Sequence, residues 1–199
     1  MRPAHDDAHW GLYNERQRGR SPRDLCTEVL SLAGPGEGRT AVDLGCGLGI
    51  ETRSLLRAGW TVHAVDGHPD TADRVLGSTD ADQRGRLTVE SVRFEELTSL
   101  PAAHVIYAGY SLPYVRREDF ERVWTIARAA LLPGAWLAVD LFGEHDSWAG
   151  TPGETYLGEA EARALFDGMH IVTWRVEDED GQAFSGPKHW HVFHVIARA

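Results

Sequence analysis

Residues 41–49, Ala-Val-Asp-Leu-Gly-Cys-Gly-Leu-Gly, constrain the fold more than any other part of this 199-residue chain. Ala41 to Leu44 reads as the end of a buried strand. Gly45, Gly47 and Gly49 then form a turn almost without side chains, and apolar residues recur at helical spacing from Ile50 to Ala58. Strand, glycine turn and helix start, in that order, bring bare backbone N–H groups to a helix N-terminus, where a nucleoside-type ligand can lie. Glycine is needed because a Cβ blocks close approach and because such a turn visits φ > 0.

A second strand pattern, Thr61 to Val65, ends on Asp66. A carboxylate at that tip is placed to accept hydrogen bonds from both ribose hydroxyls. The glycine spacing departs from G-x-G-x-x-G, and Asp43 sits inside the strand two positions before the first glycine. A carboxylate there suits a ligand carrying an ammonium group and repels a pyrophosphate. The competing reading is an ordinary tight turn between strand and helix.

On these residues the chain resembles the class I S-adenosylmethionine-dependent methyltransferases. Asp43 to Gly49 looks like their first motif and Asp66 like their ribose-binding acid. Within that superfamily it looks most like small bacterial enzymes of the tellurite-resistance type and relatives acting on small molecules, matching from Trp10 to the C-terminus. The resemblance implies S-adenosyl-L-methionine as cofactor and S-adenosyl-L-homocysteine as product. It implies cofactor contacts from Gly67 beside the adenine, from Phe94 and Glu95 after the third strand, and from Ala108 after the fourth. Relatives have an acid followed by Phe at the third tip, whereas this chain has Arg93, which cannot accept a hydrogen bond. Near the N-terminus the resemblance implies a covering helix with Tyr13 as a lid residue and Arg20 pairing with the cofactor carboxylate, a role the planar guanidinium suits. A solvated face is the alternative for any one arginine of the cluster Arg16, Arg18, Arg20 and Arg23.

The bulk properties narrow the partners. A formal net charge of −10 repels a polyanion on average, so nucleic acid is not expected. Two cysteines, Cys26 and Cys46, suggest no disulfide framework, and no apolar run reaches membrane-spanning length or signal-peptide character. The expectation is a cytoplasmic protein, monomer or homodimer, forming a single domain over 1–199, with a helical lid over 1–34 and a core over 39–199. Apart from flexible first residues, no linker is evident.

The pattern predicts helices near 8–18, 22–33, 49–58, 69–77, 117–131 and 158–167. It predicts strands near 40–44, 61–65, 86–91, 103–108, 135–142, 170–177 and 189–198. Strands alternating with helices imply an α/β, Rossmann-like, mostly parallel sheet with helices on both faces. The run Glu177 to Gly181 is too short for a helix and implies a hairpin, so the last strand should be antiparallel. The resemblance implies the same seven-stranded arrangement. Ligands should then bind beyond the carboxyl ends of the parallel strands.

The chemistry-bearing candidates sit at those tips. Tyr110 and Tyr114 are candidates to wall a methyl-transfer site, and His145, Asp146 and Trp148 follow the fifth strand. His189 and His191 open the last strand and are candidates for a general base or for substrate hydrogen bonding. Period-2 geometry puts only these two of the three nearby histidines on the same side, so no metal site is expected. Methyl transfer is an in-line displacement that mainly needs alignment and water exclusion, so the absence of an obvious triad does not argue against an enzyme. The alternatives are a nicotinamide-dependent oxidoreductase and a non-catalytic S-adenosylmethionine-binding module. The first needs a third glycine one position later, and no Tyr-x-x-x-Lys pair is present.

Overall fold

The structure, a computed structural model, describes residues 7–199. The reading of a flexible terminus without a leader falls largely on residues 1–6, outside the described residues. Helices α1 (Asp7–Gln17) and α2 (Asp24–Ala33) precede β1 (Thr40–Leu44), α3 (Ile50–Arg57), β2 (Thr61–Asp66) and α4 (Thr71–Gly77). Then come β3 (Leu87–Ser91), β4 (Ala103–Ala108), α5 (Arg117–Ala129), β5 (Leu131–Gly143) and β6 (Tyr156–Leu157). The chain closes with α6 (Glu159–Ala164), β7 (His170–Ala183) and β8 (Gly186–Arg198). The strands form one sheet in the order β3-β2-β1-β4-β5-β8-β7, with β6 paired to β5. All pairings are parallel except those of β8 with β5 and β7.

Side-chain alternation along the buried strands separates two cores. Val42, Leu44, Ile106, Leu137, Val139 and Phe193 pack with Phe120 and Trp124 of α5 and with Phe166. Ala41, Val62, Ala64, Val105 and Ile196 pack with Cys26 and Val29 of α2, Leu55 and Leu56 of α3, and Trp60. Both cysteines are free and buried. No helix among the described residues is long and apolar enough to cross a membrane.

Three local readings need correction. β7 does not stop at Glu177 but runs to Ala183, and the turn falls at Phe184-Ser185. The acidic run survives in a strand because β7 is an edge strand and its carboxylates meet cross-strand histidines, with Asp178 opposite His191 and Asp180 opposite His189. β5 begins four residues earlier than the Pro133-Gly134 punctuation suggests. A register irregularity against β4 and a left-handed Gly134 (φ 78°) absorb the break. The two-residue strand β6 carries no pattern of its own. Thr155 anchors it, its N–H donating to the Pro113 carbonyl (2.8 Å) and its hydroxyl to the Val115 carbonyl (2.8 Å).

Two buried acids bear on stability. Asp146, just past β5, lies 2.9 Å from Lys188 Nζ, and both side chains are fully buried. The ammonium is also boxed by the rings of Trp190 (3.6 Å), Trp148 (4.0 Å) and Phe142 (4.6 Å). Asp43 in β1 is 1% exposed and accepts the Thr52 hydroxyl at 2.6 Å. Burial first, then the neighbouring Glu51 carboxylate, push its carboxyl up to about 7.

Removing one partner of the buried pair strands a charge. Asp146→Ala should therefore cost about 3–5 kcal/mol in urea unfolding, and the double change with Lys188→Met should cost clearly less than twice that. Asp43 has a folded pKa above its unfolded value of about 3.9. Its contribution is therefore fully present below about pH 4 and is lost as pH rises through about 7. Thermal unfolding of Asp43→Asn should accordingly gain on the natural chain between pH 5 and pH 8; a constant difference would contradict the assignment.

Candidate active site

The glycine turn ends β1 with Gly45, Gly47 and Gly49 all at positive φ (79°, 53° and 70°). A Cβ on Gly45 would stand 2.2 Å from Ser111 Cβ, and one on Gly47 would stand 2.9 Å from Asn14 Oδ1. Ser111 in turn donates to the Leu44 carbonyl at 2.6 Å. Asp66, at the tip of β2, ties the two crossovers together. Its Oδ2 accepts the Gly47 N–H (2.9 Å), and its Oδ1 accepts the His68 N–H (2.9 Å) and the Thr71 hydroxyl (3.2 Å). A carboxylate offers about two acceptor sites per oxygen, so Oδ2, with the Gly47 N–H alone, can still receive a hydroxyl.

These tips floor a cavity of about 1110 Å³. Gly45, Gly47, Asp66, Gly67, Phe94 and Glu95 line it from the sheet, and Tyr13, Asn14 and Arg20 line it from the N-terminal segment. Single-ligand clefts commonly span about 300–1,000 Å³, so the space is generous for one ligand. Phe94–Glu96 is a 3-10 turn, and Arg122 on α5 donates to the Phe94, Glu95 and Leu97 carbonyls. The atypical Arg93 has a structural role: its guanidinium reaches Asp7 on α1 at 2.6 Å, across the cavity mouth.

Arg20 is fixed by Glu51 on α3 through two bonds of 2.6 and 2.9 Å. Burial by itself would raise the Glu51 carboxyl, but those bonds and the Arg23 N–H hold it below its ordinary value. Arg20 Nε is buried without a partner among the described residues, and so is the Tyr107 hydroxyl. Both residues line the cavity. Two unsatisfied groups that can donate, in a wall also carrying Glu51, fit a ligand with a zwitterionic end. Tyr107 is not among the residues the sequence singles out; a hydroxyl in a buried central strand is the available signal.

A second cavity of about 450 Å³ adjoins the first, and Trp10, Tyr13, Arg23, Tyr110, Tyr114 and Trp148 line both. Tyr110 has φ 49°, a left-handed conformation uncommon outside glycine. Its N–H donates to Asp140 Oδ2 (3.1 Å), and the Arg23 guanidinium lies 4.4 Å from its ring centre. Burial, then Asp140 and Glu177, push the Tyr110 hydroxyl up, so it remains protonated and serves as a donor. Arg23 also donates to the Tyr13 hydroxyl at 3.1 Å. The sequence placed Arg23 in the arginine cluster without singling it out.

Several expected site residues lie elsewhere. Asp43 is beneath the glycine turn, bonded to Thr52, rather than on the cavity wall. Gly49 caps α3 against Val75, and Ala108 packs in the core behind α5. Asp146 is occupied by Lys188 and by the Trp148 N–H (2.9 Å). His145, His189 and His191 do not join the cavity walls. Alternation turns His189 and His191 to the face opposite Trp190, where His189 contacts Asp178 and Asp180 at 2.8 Å each. Those two carboxylates raise His189 from its ordinary value, whereas burial lowers His191. His145, Asp178 and His191 do come together with ligand atoms within 4.8 Å, a grouping sequence spacing could not show. His191 Nδ1, however, already accepts the His145 N–H at 3.0 Å, which leaves the proton on Nε2.

A methyltransferase-domain family model matches residues 13–193. A search of curated proteins found no match. Among solved structures, TehB from Haemophilus influenzae superposes with TM-score 0.76 at 12% identity, covering 95% of this chain and 66% of that one. The N-methyltransferase NodS from Bradyrhizobium japonicum, in complex with S-adenosylhomocysteine, gives 0.67 at 16%, covering 96% and 99%. The 1,6-didemethyltoxoflavin-N1-methyltransferase from Burkholderia thailandensis, with its namesake compound and S-adenosylhomocysteine bound, gives 0.65 at 15%, covering 100% and 92%. At such identities the superpositions show a common fold, and the family match adds the chemistry. This chain belongs to the methyltransferase-domain family and is a class I S-adenosylmethionine-dependent methyltransferase.

Proposed function

We propose that this enzyme methylates a small-molecule acceptor, with the cofactor in the larger cavity and the acceptor in the adjoining aromatic chamber. The observation that carries this reading is the junction of the two spaces at Tyr13, Tyr110 and Tyr114. When bound, S-adenosylmethionine supplies an activated methyl group on a sulfonium centre. The protein has to bind that molecule, orient the nucleophile and keep water out.

Asp66 would receive the ribose hydroxyls, and the turn at Gly45 and Gly47 would offer backbone without Cβ atoms. Gly67, Phe94 and Glu95 would border the adenine, while Arg20, Glu51 and Tyr107 would meet the amino-acid end. Helix α1, with Trp10, Tyr13 and Asn14, would be the roof. The net charge of −10 favours a small acceptor over nucleic acid. The structural neighbour 1,6-didemethyltoxoflavin-N1-methyltransferase holds 1,6-didemethyltoxoflavin and S-adenosylhomocysteine, which supports a small-molecule acceptor.

Asp66→Ala should weaken S-adenosylhomocysteine binding about tenfold or more in calorimetry, because bonds to a charged acceptor are among the strong ones. Tyr107→Phe should weaken it by a smaller factor with no loss of thermal stability, since its hydroxyl has no partner among the described residues. A panel of phenols, amines and heterocycles with methyl-labelled cofactor tests the acceptor class; a chain that binds no S-adenosylhomocysteine overturns the whole reading.

A further inference from the structure

Among the described residues that line the second cavity, one carboxylate stands between the aromatic walls. Glu177 of β7 lines it with Trp10, Tyr13, Tyr110, Tyr114 and Trp190. The rings stand edge to face: Trp10 on Tyr114 at 4.8 Å and Tyr110 on Trp190 at 5.9 Å, at angles of 78° and 89°. Such walls offer both faces and edges to a flat guest.

Glu177 is not an isolated surface acid. Its Oε2 accepts the Tyr110 hydroxyl at 3.3 Å and lies 3.3 Å from His194 Nε2. The other ring nitrogen, His194 Nδ1, lies 2.7 Å from Asp140 Oδ1. Asp140 is 1% exposed, and its second oxygen holds the Tyr110 N–H. One buried carboxylate therefore orients the imidazole and stabilises the left-handed backbone of Tyr110 together. Register explains the cluster: Asp140 faces His194 across β5 and β8, and Glu177 sits two residues along β7 from the position opposite His194, on the same face. Arg175, directly opposite His194, is engaged by Glu28 of α2 and takes no part.

We propose that Asp140, His194 and Glu177 form a proton relay serving the aromatic chamber, and that the acceptor is a planar ring compound with an O–H or N–H directed at Glu177. This rests on the methyl-transfer reading above. The acceptor proton passes to the Glu177 carboxylate, while its bonding electron pair stays on the acceptor heteroatom as the nucleophile. Glu177 passes the proton to Nε2 of the neutral form of His194, whose Nδ1–H Asp140 accepts, and Asp140 stabilises the imidazolium that results. His194 later returns the proton to water. Glu177 is the catalytic residue here, while His194 and Asp140 act through it. Burial works against charge on His194, but the bonds to Asp140 and Glu177 outweigh it and raise the imidazole above its ordinary value. The groups facing it are Asp140 from β5, Glu177 from β7 and the Tyr110 hydroxyl, with Arg23 over the Tyr110 ring.

The test uses the full chain saturated with S-adenosylhomocysteine and benzimidazole as a planar N–H probe. Tryptophan fluorescence reads binding, and NMR follows the His194 ring through a pH titration. The expected results are millimolar or tighter binding that moves the His194 resonance, and about tenfold weaker binding for Glu177→Gln. In the same variant the His194 pKa should fall, because a neighbouring negative charge is gone. Equal affinity in both chains, or binding that leaves His194 unmoved, overturns the relay. S-adenosylhomocysteine affinity is measured separately in each chain. Its loss in the natural chain would instead sink methyl transfer, and its retention in Glu177→Gln shows a folded protein.

Discussion

The carboxylate of Asp66 holding the Gly47 N–H is the contact on which the cavity depends. It joins the first crossover to the second across parallel strands that end at the same level, Leu44 beside Val65. That bond, with the Gly45 and Cys46 N–H groups given to the Val65 carbonyl at 2.7 and 3.0 Å, keeps the loop open in a left-handed course. The loop can be open only because Gly45 and Gly47 lack Cβ atoms: Ser111 and Asn14 already fill the space those would need. A bare, tethered loop at a helix start is what a nucleoside can approach closely.

The opposite edge of the sheet supplies the other half of the site. Reversal of the chain at Phe184-Ser185 sets β8 between β5 and β7, so that Glu177 of β7 and Trp190 of β8 both line the second cavity. Alternation then divides the hairpin: Trp190, Val192 and His194 face one way, and His189, His191 and Phe193 the other. The caged Lys188 and its Asp146 partner stiffen the loop carrying Trp148, a residue both cavities share. A buried ion pair wrapped in three rings is a costly arrangement unless geometry repays it, which here means fixing the position of aromatic walls.

Most of the fold was legible because its signals are local. Strand alternation, the helical period of 50–58 and the spacing from Gly49 to Asp66 each arise from neighbouring residues, so they survive without tertiary context. Errors clustered where distant partners decide. The acidic run at 177–181 looks like a turn until His189 and His191 stand opposite it. Asp146 looks like a binding group until Lys188 takes it. His189 was assigned to the cleft edge because its strand begins there, but a one-residue parity sends it to the other face and leaves Trp190 inside.

The amino-acid sequence by itself determined the α/β architecture, the glycine crossover and the carboxylate at the tip of the second strand, because each depends on backbone conformation or on residues within one supersecondary unit. Tertiary structure alone decided which titratable groups meet, Arg20 with Glu51 and His194 with Asp140 and Glu177, and that the buried Tyr107 hydroxyl meets none among the described residues. The members of these groups come from elements far apart in the chain. Whether a side chain reaches a cavity or a buried partner depends on strand order and register, which no local pattern encodes.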